Sequence, residues 1–423
     1  MTHTIATPIT DAIREQEPEL AIALIAAAQA KQVTPWAVLL VCFSDDPEEL
    51  PDRGLYERLY TTKGIGTMNM VDFFSDMSHG TVSIIGSQVF GWYRLPAARA
   101  SYVGNATPKP GELDRDGLLN LAWATAAAAS GDLHVDFAEF SGTVVVPYGP
   151  TELCGFLGGM AAICGSPAIQ PSLIGQEMGH GYGLDHARQN GSEADYMDPW
   201  DVMSTAAWPD RQADNPDWGR QSVGPGLNAW SMRSRGWLDE SRVWSASTSG
   251  AFTQTVQLRP LHRHDLPGLL AAQIGQYLVE FRVPEFWDAA IPRACVLVHR
   301  FQDNHPYLMP GVGGTPDLVE GDRFEDGNPE LTLFPYSSVE VKQIDEHERT
   351  ATIEIVHRPR FKEPPLVGTT IGAVEIDGPG ATSPSARAST SASGRRSASS
   401  RHSSRSRSSR AGSRTCAWSR GRS

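Results

Sequence analysis

Residues Leu173 to His186 read L-I-G-Q-E-M-G-H-G-Y-G-L-D-H and predict a helix that ends in a sharp turn. Gln176 and His180 are four residues apart, so they lie on one face of the helix and can point at the same ion. Gly183 can adopt a positive φ without a steric penalty, and such a turn brings His186 back as a third ligand. Three protein ligands with one position left open are the arrangement of a catalytic zinc site.

Glu177 lies beside Gln176 on the predicted helix, where its carboxylate can reach water on the metal rather than the metal itself. A metal lowers the pKa of such water towards ~7, and a carboxylate then takes the proton. Compared with the zinc motif H-E-x-x-H-x-x-G-x-x-H, the chain keeps Glu177, His180, Gly183 and His186 but has Gln176 at the first position. An amide oxygen is a neutral, harder donor than imidazole, so we expect zinc to be held less firmly.

A second stretch, Y-M-D-P-W-D-V-M-S from Tyr196 to Ser204, follows the motif where metzincin peptidases have a methionine in a tight turn. A loop methionine more often fills a core, but Met203 follows a metal motif, and we interpret it as this Met-turn. The sequence thus resembles the gametolysin and immune-inhibitor-A-like metallopeptidases within the metzincins.

The resemblance extends beyond the motif and covers residues 36–357. The first strand of these enzymes resembles V-L-L-V-C-F-S-D-D at 38–46, and their helix–turn–strand unit resembles V-D-F-F-S-D-M-S-H-G-T-V-S-I-I-G at 71–86, with the small Gly80 in its turn. The segment below the metal resembles D-P-W-D-V-M-S at 198–204, and the helix after it resembles N-A-W-S-M-R-S-R-G-W-L at 228–238. The β module of the immune-inhibitor branch resembles Y-L-V-E-F-R at 277–282 and C-V-L-V-H-R at 295–300.

The resemblance implies a metalloendopeptidase of the zinc type that hydrolyses peptide bonds in protein or peptide substrates with a metal-activated water. Glu177 would be the general base, and Gln176, His180 and His186 the metal ligands. Some gametolysin relatives have Gln at the first ligand position and remain peptidases, which makes copper an alternative to zinc. The resemblance also suggests a secreted protein, although residues 1–19 lack the basic start and apolar stretch of a signal peptide.

Two other functions remain open because Gln176 replaces a histidine ligand. The first is a catalytically inactive protein that keeps the metallopeptidase fold and uses its cleft as a binding module. The second is an adhesin or glycan binder that acts through its β-rich part and has a vestigial front half.

Three acidic residues beside Met203 offer oxygen ligands that calcium could use, namely Asp195, Asp198 and Asp201. Side chains of this kind more often cap turns and accept hydrogen bonds from backbone amides. We therefore expect turn capping here, with calcium binding as the alternative.

The fold class that these features predict is α+β. A twisted sheet with helices would lie above the helix that carries Glu177, an irregular lobe with Met203 would lie below it, and a β-sandwich-like module would follow. The predicted regions are an N-terminal helical segment at 1–35 with its helix over 9–31, a metzincin-like catalytic domain at 36–240, a β-rich module at 241–360, and a disordered tail rich in Pro, Ser and Arg at 361–423.

Local patterns predict several elements of these regions. Continuous apolar sequence predicts a strand over 37–43 that is covered on both faces, and weaker alternation predicts a strand over 81–92. Helices are predicted over 67–77, with Thr67 as the cap, and over 116–129. Beyond residue 240, strands are predicted over 252–259, 276–283, 294–300 and 350–357.

The charge distribution limits the partners of the chain. The 423 residues carry a formal net charge of −13, although residues 381–423 contain ten arginines and no acidic residue. The remaining chain is therefore strongly acidic, which argues against nucleic acid as a partner. No apolar run approaches the ~18–20 residues of a membrane span, so no membrane partner is expected. The oligomeric state cannot be inferred from these patterns.

Cysteines and the remaining histidines show no metal-site spacing. Cys154 and Cys164 lie in one Gly-rich stretch, and whether they form a disulfide is left open by the sequence. His79 is expected in a turn, and the other histidines outside the motif are expected on the surface or in strands, namely His134, His262, His264, His299 and His305.

Overall fold

The computed structural model describes residues 30–149, 151–165, 170–208, 213–215 and 221–360. The tail predicted at 361–423 lies outside the described residues, and so does the helix predicted over 9–31 except for its last two positions. The described residues belong to one compact unit, so the predicted catalytic and β-rich regions are described together below.

Five α-helices occur in the described part of the chain. None of them is long and apolar enough to cross a lipid bilayer. The helices are α1 (Arg53–Tyr60), α2 (Met70–Met77), α3 (Arg115–Ala128), α4 (Pro171–Gly181) and α5 (Ala229–Ser234).

Strands outnumber helices among the described residues, so the α+β fold consists mostly of sheet. The strands are β1 (Gln32–Val33), β2 (Trp36–Cys42), β3 (Val82–Ser83), β4 (Gln88–Arg94), β5 (Gly142–Pro147), β6 (Leu153–Phe156), β7 (Ala161–Cys164), β8 (Arg188–Gln189), β9 (Ala213–Asn215), β10 (Gln221–Val223), β11 (Val243–Ser245), β12 (Phe252–Leu258), β13 (Ala271–Ile274), β14 (Tyr277–Arg282), β15 (Cys295–Gln302), β16 (His305–Leu308), β17 (Arg323–Asp326), β18 (Tyr336–Asp345) and β19 (Thr350–Arg358).

The sheet of the first half has five strands in the order β4-β2-β5-β7-β6. Its first four strands are parallel, and β6 is an antiparallel edge strand. Strand β2 is buried along its whole length and sends alternate side chains into two different apolar clusters, one on each face. A strand covered on both faces has no polar face, which explains the continuous apolar sequence at 37–43.

Two predictions for the segment before β4 differ in detail from the structure. Helix α2 begins at Met70, because Asn69 rather than Thr67 caps it and Asp72 completes a capping box. The strand predicted over 81–92 is interrupted by a turn at Gly86, which has φ +97°, so β3 and β4 belong to different sheets. The predicted strands beyond residue 240 are present as β12, β14, β15 and β19.

The second half contains a four-stranded sheet, β12-β19-β18-β17, and a six-stranded sheet, β11-β13-β14-β15-β16-β8. Apolar side chains from both sheets meet in one buried cluster. Strand β8 belongs to the first half in sequence but pairs with β16, where Arg188 lies opposite Tyr307. The two halves of the chain therefore share a sheet.

Cys154 and Cys164 form no disulfide in the structure. In the β6–β7 pair, Cys154 lies opposite Ile163, and Cys164 lies opposite Leu153. Neighbouring positions of a strand point to opposite faces of the sheet, so the two thiols lie on different faces and cannot reach each other.

Candidate functional site

Helix α4 carries the candidate site and is buried along almost its whole length. Pro171 occupies its first turn, where no backbone amide partner is lost. Glycines allow neighbouring elements to approach closely: a Cβ on Gly175 would lie 2.5 Å from the Phe73 ring, and one on Gly179 would lie 3.3 Å from the Met203 sulfur. The helix is therefore held firmly between α2 on one side and the Met203 segment on the other.

His180 lies on the last turn of α4 with its imidazole buried. Its Nδ1–H donates to the Leu184 carbonyl at 2.7 Å, which leaves the lone pair on Nε2. The Nε2 atom is buried and has no protein partner. Burial, followed by the neighbouring His186, lowers the pKa of His180 to about 4. The imidazole is therefore neutral at physiological pH, which is the protonation state of a metal ligand.

His186 returns to this helix after a turn at Gly183, whose φ is +86° as the motif predicts. The His180 and His186 ring centroids are 4.7 Å apart and the rings are nearly perpendicular. His186 Nδ1 lies 3.2 Å from Asp195 Oδ2. Hydrogen bonding from His186 and then from Arg188 holds the pKa of Asp195 well below its usual range, so this carboxylate stays charged.

Gln176 and Glu177 complete the cluster on the preceding turn of α4. The Gln176 amide Nε2 donates to Glu177 Oε1 at 3.1 Å, and both side chains are buried. Burial raises the pKa of Glu177 to about 7, against the lowering effect of His186 and of hydrogen bonds from the Gly155 backbone and Gln176. A carboxyl group with that pKa can both accept and return a proton near neutral pH.

Three buried polar atoms of this cluster have no hydrogen-bond partner: Gln176 Oε1, Glu177 Oε2 and His180 Nε2. Leaving such an atom unsatisfied costs about 1–3 kcal/mol, so these three atoms are available to bind water or a ligand. An amide oxygen and an imidazole nitrogen both fit a divalent metal. Within the described ranges, no set of three His, Cys, Asp or Glu side chains has metal-site geometry, so the candidate set depends on the amide of Gln176.

Met203 lies beneath α4 and is fully buried. It belongs to a 3-10 helix, Val202–Ala207, whose N-cap is Asp201. Asp201 Oδ1 accepts from the Met203 amide at 2.6 Å, and Oδ2 accepts from the Asn228 amide at 2.7 Å. Asp198 likewise accepts from the Trp200 amide, at 2.9 Å. Both carboxylates therefore have the contacts of turn-capping groups.

Edge strand β6 runs beside α4. A Cβ on Gly155 would lie only 2.2 Å from the Glu177 carbonyl oxygen, so the backbones of strand and helix are in close contact. The amide of Gly158, at the end of the β6–β7 hairpin, donates to the His180 carbonyl at 2.8 Å. The site thus lies directly below one edge of the five-stranded sheet.

The second half of the chain makes contacts with the His186 segment that the sequence does not predict. His305 Nδ1–H donates to the His186 carbonyl at 2.8 Å, and Tyr307 lies 3.1 Å from Arg188 Nη1. His305 was expected in a strand or on the surface; it is in β16, and it is buried. No local pattern identifies such partners, because 119 positions separate His305 from His186.

Comparison with known proteins gives little beyond this geometry. The chain matches no protein-family profile and no curated protein sequence. Two crystal forms of wild-type OgpA from Akkermansia muciniphila are similar to it at 12% sequence identity. They cover 77% and 74% of this chain and 94% and 88% of OgpA, with TM-scores of 0.29 and 0.24. A similarity of this size does not establish a shared fold.

Proposed function

We propose that this protein is a metal-dependent endopeptidase that cleaves protein or peptide substrates. The observation that carries the proposal is the set of unsatisfied buried atoms on α4, Gln176 Oε1, Glu177 Oε2 and His180 Nε2. In this proposal Gln176, His180 and His186 hold a divalent metal, and Glu177 is the general base. His186 would bind through Nε2, since its Nδ1 faces Asp195.

A bound zinc or copper ion would supply Lewis-acid activation of water and of the scissile carbonyl. Glu177 takes the proton of the attacking water at Oε2, the oxygen that lacks a protein partner. With a pKa of about 7, the same carboxyl group then returns the proton to the leaving amine. The Gln176 amide bonds the other carboxylate oxygen, Oε1, which leaves Oε2 to accept the proton.

Edge strand β6 is the surface on which we place the substrate. An extended peptide can add to a sheet edge through main-chain hydrogen bonds, which suits a peptidase that accepts varied sequences. Gly155 removes any side chain between this strand and the Glu177 backbone. A peptide paired with β6 would therefore run across the general base.

The finer assignment is a metzincin-type enzyme. In this proposal Met203 is the Met-turn, and the second half is a β-sandwich-like module that follows a catalytic domain. Two observations support it: Met203 packs against Gly179 below the helix of the metal ligands, and the two sheets of the second half share one apolar cluster.

The second candidate is a binding module without catalysis, and Gln176 is the observation that favours it. A neutral amide in place of imidazole weakens the metal site, and its Nε2 already bonds Glu177. In that case the cleft would still accept a peptide along β6 but would leave it intact.

Digestion of a peptide library separates the two functions. Chelator-stripped protein is reconstituted with zinc or with copper, incubated with the library, and the products are read by mass spectrometry. The endopeptidase predicts internal cleavage that depends on one of these metals and stops when chelator is added. Intact peptides with a metal-loaded protein would contradict the endopeptidase, and retained peptides would then indicate the binding module.

A further inference from the structure

The β15–β16 hairpin of the second half reaches into the candidate site. Residues Asp303 and Asn304 form its turn, both with positive φ, and His305 begins β16. Asn304 Nδ2 donates to the Gly183 carbonyl at 3.0 Å. Gly183 forms the turn that returns His186 to the helix. The hairpin therefore contacts the turn that brings His180 and His186 together.

A first set of contacts fixes the backbone of His186. The buried His305 Nδ1–H donates to the His186 carbonyl, and His305 Nε2 lies 3.4 Å from Asp185 Oδ2. Asp185 Oδ1 in turn accepts from the His186 amide at 2.9 Å. The His186 carbonyl is thus bonded directly to His305 of the hairpin, and the His186 amide is linked to the same side chain through Asp185.

A second set of contacts fixes the imidazole of His186. Its Nδ1 faces Asp195, whose other oxygen accepts from Arg188 Nε at 2.8 Å. The Arg188 guanidinium also donates to the hydroxyl of Tyr307, and the two residues lie opposite each other in the β8–β16 pair. The Tyr307 hydroxyl also donates to Glu193 Oε2 at 3.0 Å, and the same oxygen accepts from Arg188 Nη1.

We propose that the β15–β16 hairpin is a positioning element of the metal site, in which His305 and Tyr307 hold the His186 imidazole in the orientation of a ligand. This inference rests on the proposed metal site and adds that the site is incomplete without the second half of the chain. Partners that orient a metal ligand typically contribute 10–100-fold to metal affinity.

Tyr307→Phe is the mildest test because it removes only a hydroxyl. The Tyr307 ring keeps its packing against the guanidinium groups of Arg188 and Arg300. Tyr336→Phe is a matched control, since Tyr336 is a buried strand tyrosine with an arginine, Arg358, over its ring. Its hydroxyl donates to a glutamate, Glu325, at 2.9 Å, and both residues lie in the four-stranded sheet rather than in the sheet that contains β8 and β16.

Two measurements on the full chain report on His186 without using activity. Hydrogen exchange of the metal-free protein follows residues 183–190, and titration with cobalt(II) alone follows metal affinity and the visible absorption spectrum. Tyr307→Phe should speed exchange in 183–190, weaken cobalt binding about 3–10-fold and shift the cobalt spectrum. His305→Gln should weaken binding by about 10-fold or more. Tyr336→Phe should leave all three readouts at wild-type values.

The inference is overturned if Tyr307→Phe and His305→Gln match the Tyr336→Phe control in both exchange and cobalt binding. If wild-type protein binds no cobalt, the metal site itself fails. Exchange in 183–190 then still decides whether the hairpin orders the His186 segment, so the two failures are distinguishable.

Discussion

Glu177 combines two properties that a general base requires. It is buried, which raises its pKa to about 7, and its Oε2 has no hydrogen-bond partner. Desolvation makes a carboxylate a stronger base at neutral pH, and an unsatisfied oxygen is available for a proton. A purely structural glutamate would have both oxygens bonded to cations or amides, as Glu285 has with Arg263 and Arg349.

Glu177→Gln should therefore abolish proteolysis and leave the metal in place. The substitution preserves the shape of the side chain but removes the base, which typically lowers kcat by about 10²–10⁴-fold. Peptide cleavage and metal content are measured on the same preparation. Glu48→Gln is the control, because the Glu48 side chain is 97% exposed and should leave kcat unchanged. Full activity of Glu177→Gln would remove Glu177 from the reaction.

Gln176→His should tighten zinc binding. An imidazole at this position replaces a weak amide donor and restores the residue type that zinc prefers. We expect the zinc dissociation constant, measured by competition with a chromogenic chelator, to fall by at least about 10-fold. An unchanged constant would mean that the side chain at position 176 does not face the metal.

At the scale of elements, the site depends on how closely α4 approaches its neighbours. The periodicity and glycines of residues 173–186 predict the helix and the turn at Gly183, because both are local properties of the chain. The α2 cap is also local, but the sequence analysis predicts Thr67, whereas the capping box with Asp72 selects Asn69 in the structure. Contacts such as His305 with His186 depend on tertiary packing and leave no local pattern.

Gly155→Ala tests the contact between β6 and α4. The added methyl group would lie 2.2 Å from the Glu177 carbonyl oxygen, and a backbone atom cannot move aside as a side chain can. We expect a loss of about 1–3 kcal/mol in the free energy of unfolding, measured by urea denaturation, together with lower peptidase activity. Gly250→Ala is the control, since nothing lies within 4 Å of its added methyl group. Equal stability of the two variants would show that β6 and α4 are less tightly packed.

At the scale of the whole molecule, buried charges join the two halves. Arg282 in β14 pairs with Asp288, bonds Glu280 at 3.0 Å and donates to the carbonyls of Gly226 and Leu227, which follow β10. Breaking a buried ion pair leaves a charge without a partner and is strongly destabilising. This network therefore fixes the orientation of the chain below the site. The boundary that the sequence predicts near residue 240 thus lies within one packed unit. A separate function for the β-rich region after it remains a proposal.

Asp76→Asn tests a second contact between the halves through its pH dependence. Burial raises the pKa of Asp76 to about 6, and its Oδ2 accepts from Trp287 Nε1 at 2.8 Å. Because the folded-state pKa is above the ordinary value of 3.8, the stability that neutral Asp76 provides is present below pH 4 and is lost as the pH rises through 6.

Asparagine keeps an acceptor for Trp287 and stays neutral at every pH. We expect Asp76→Asn to match the wild-type free energy of unfolding at pH 4 and to exceed it by about 1–2 kcal/mol at pH 8, after allowing for partial exposure. Urea denaturation at the two pH values measures this difference. A difference that does not grow with pH would show that Asp76 ionises in the folded protein as it does in water.

The metal content of the purified protein tests the central claim most directly. The protein is equilibrated with zinc and copper, and excess ions are removed. Elemental analysis by inductively coupled plasma mass spectrometry should then find about one metal ion per chain. His180→Ala should lose that ion, while His357→Ala, which removes a buried histidine of β19 bonded to Ser337, should keep it. Wild-type protein that retains neither metal, or a His180→Ala variant that retains the full amount, would contradict the proposed site.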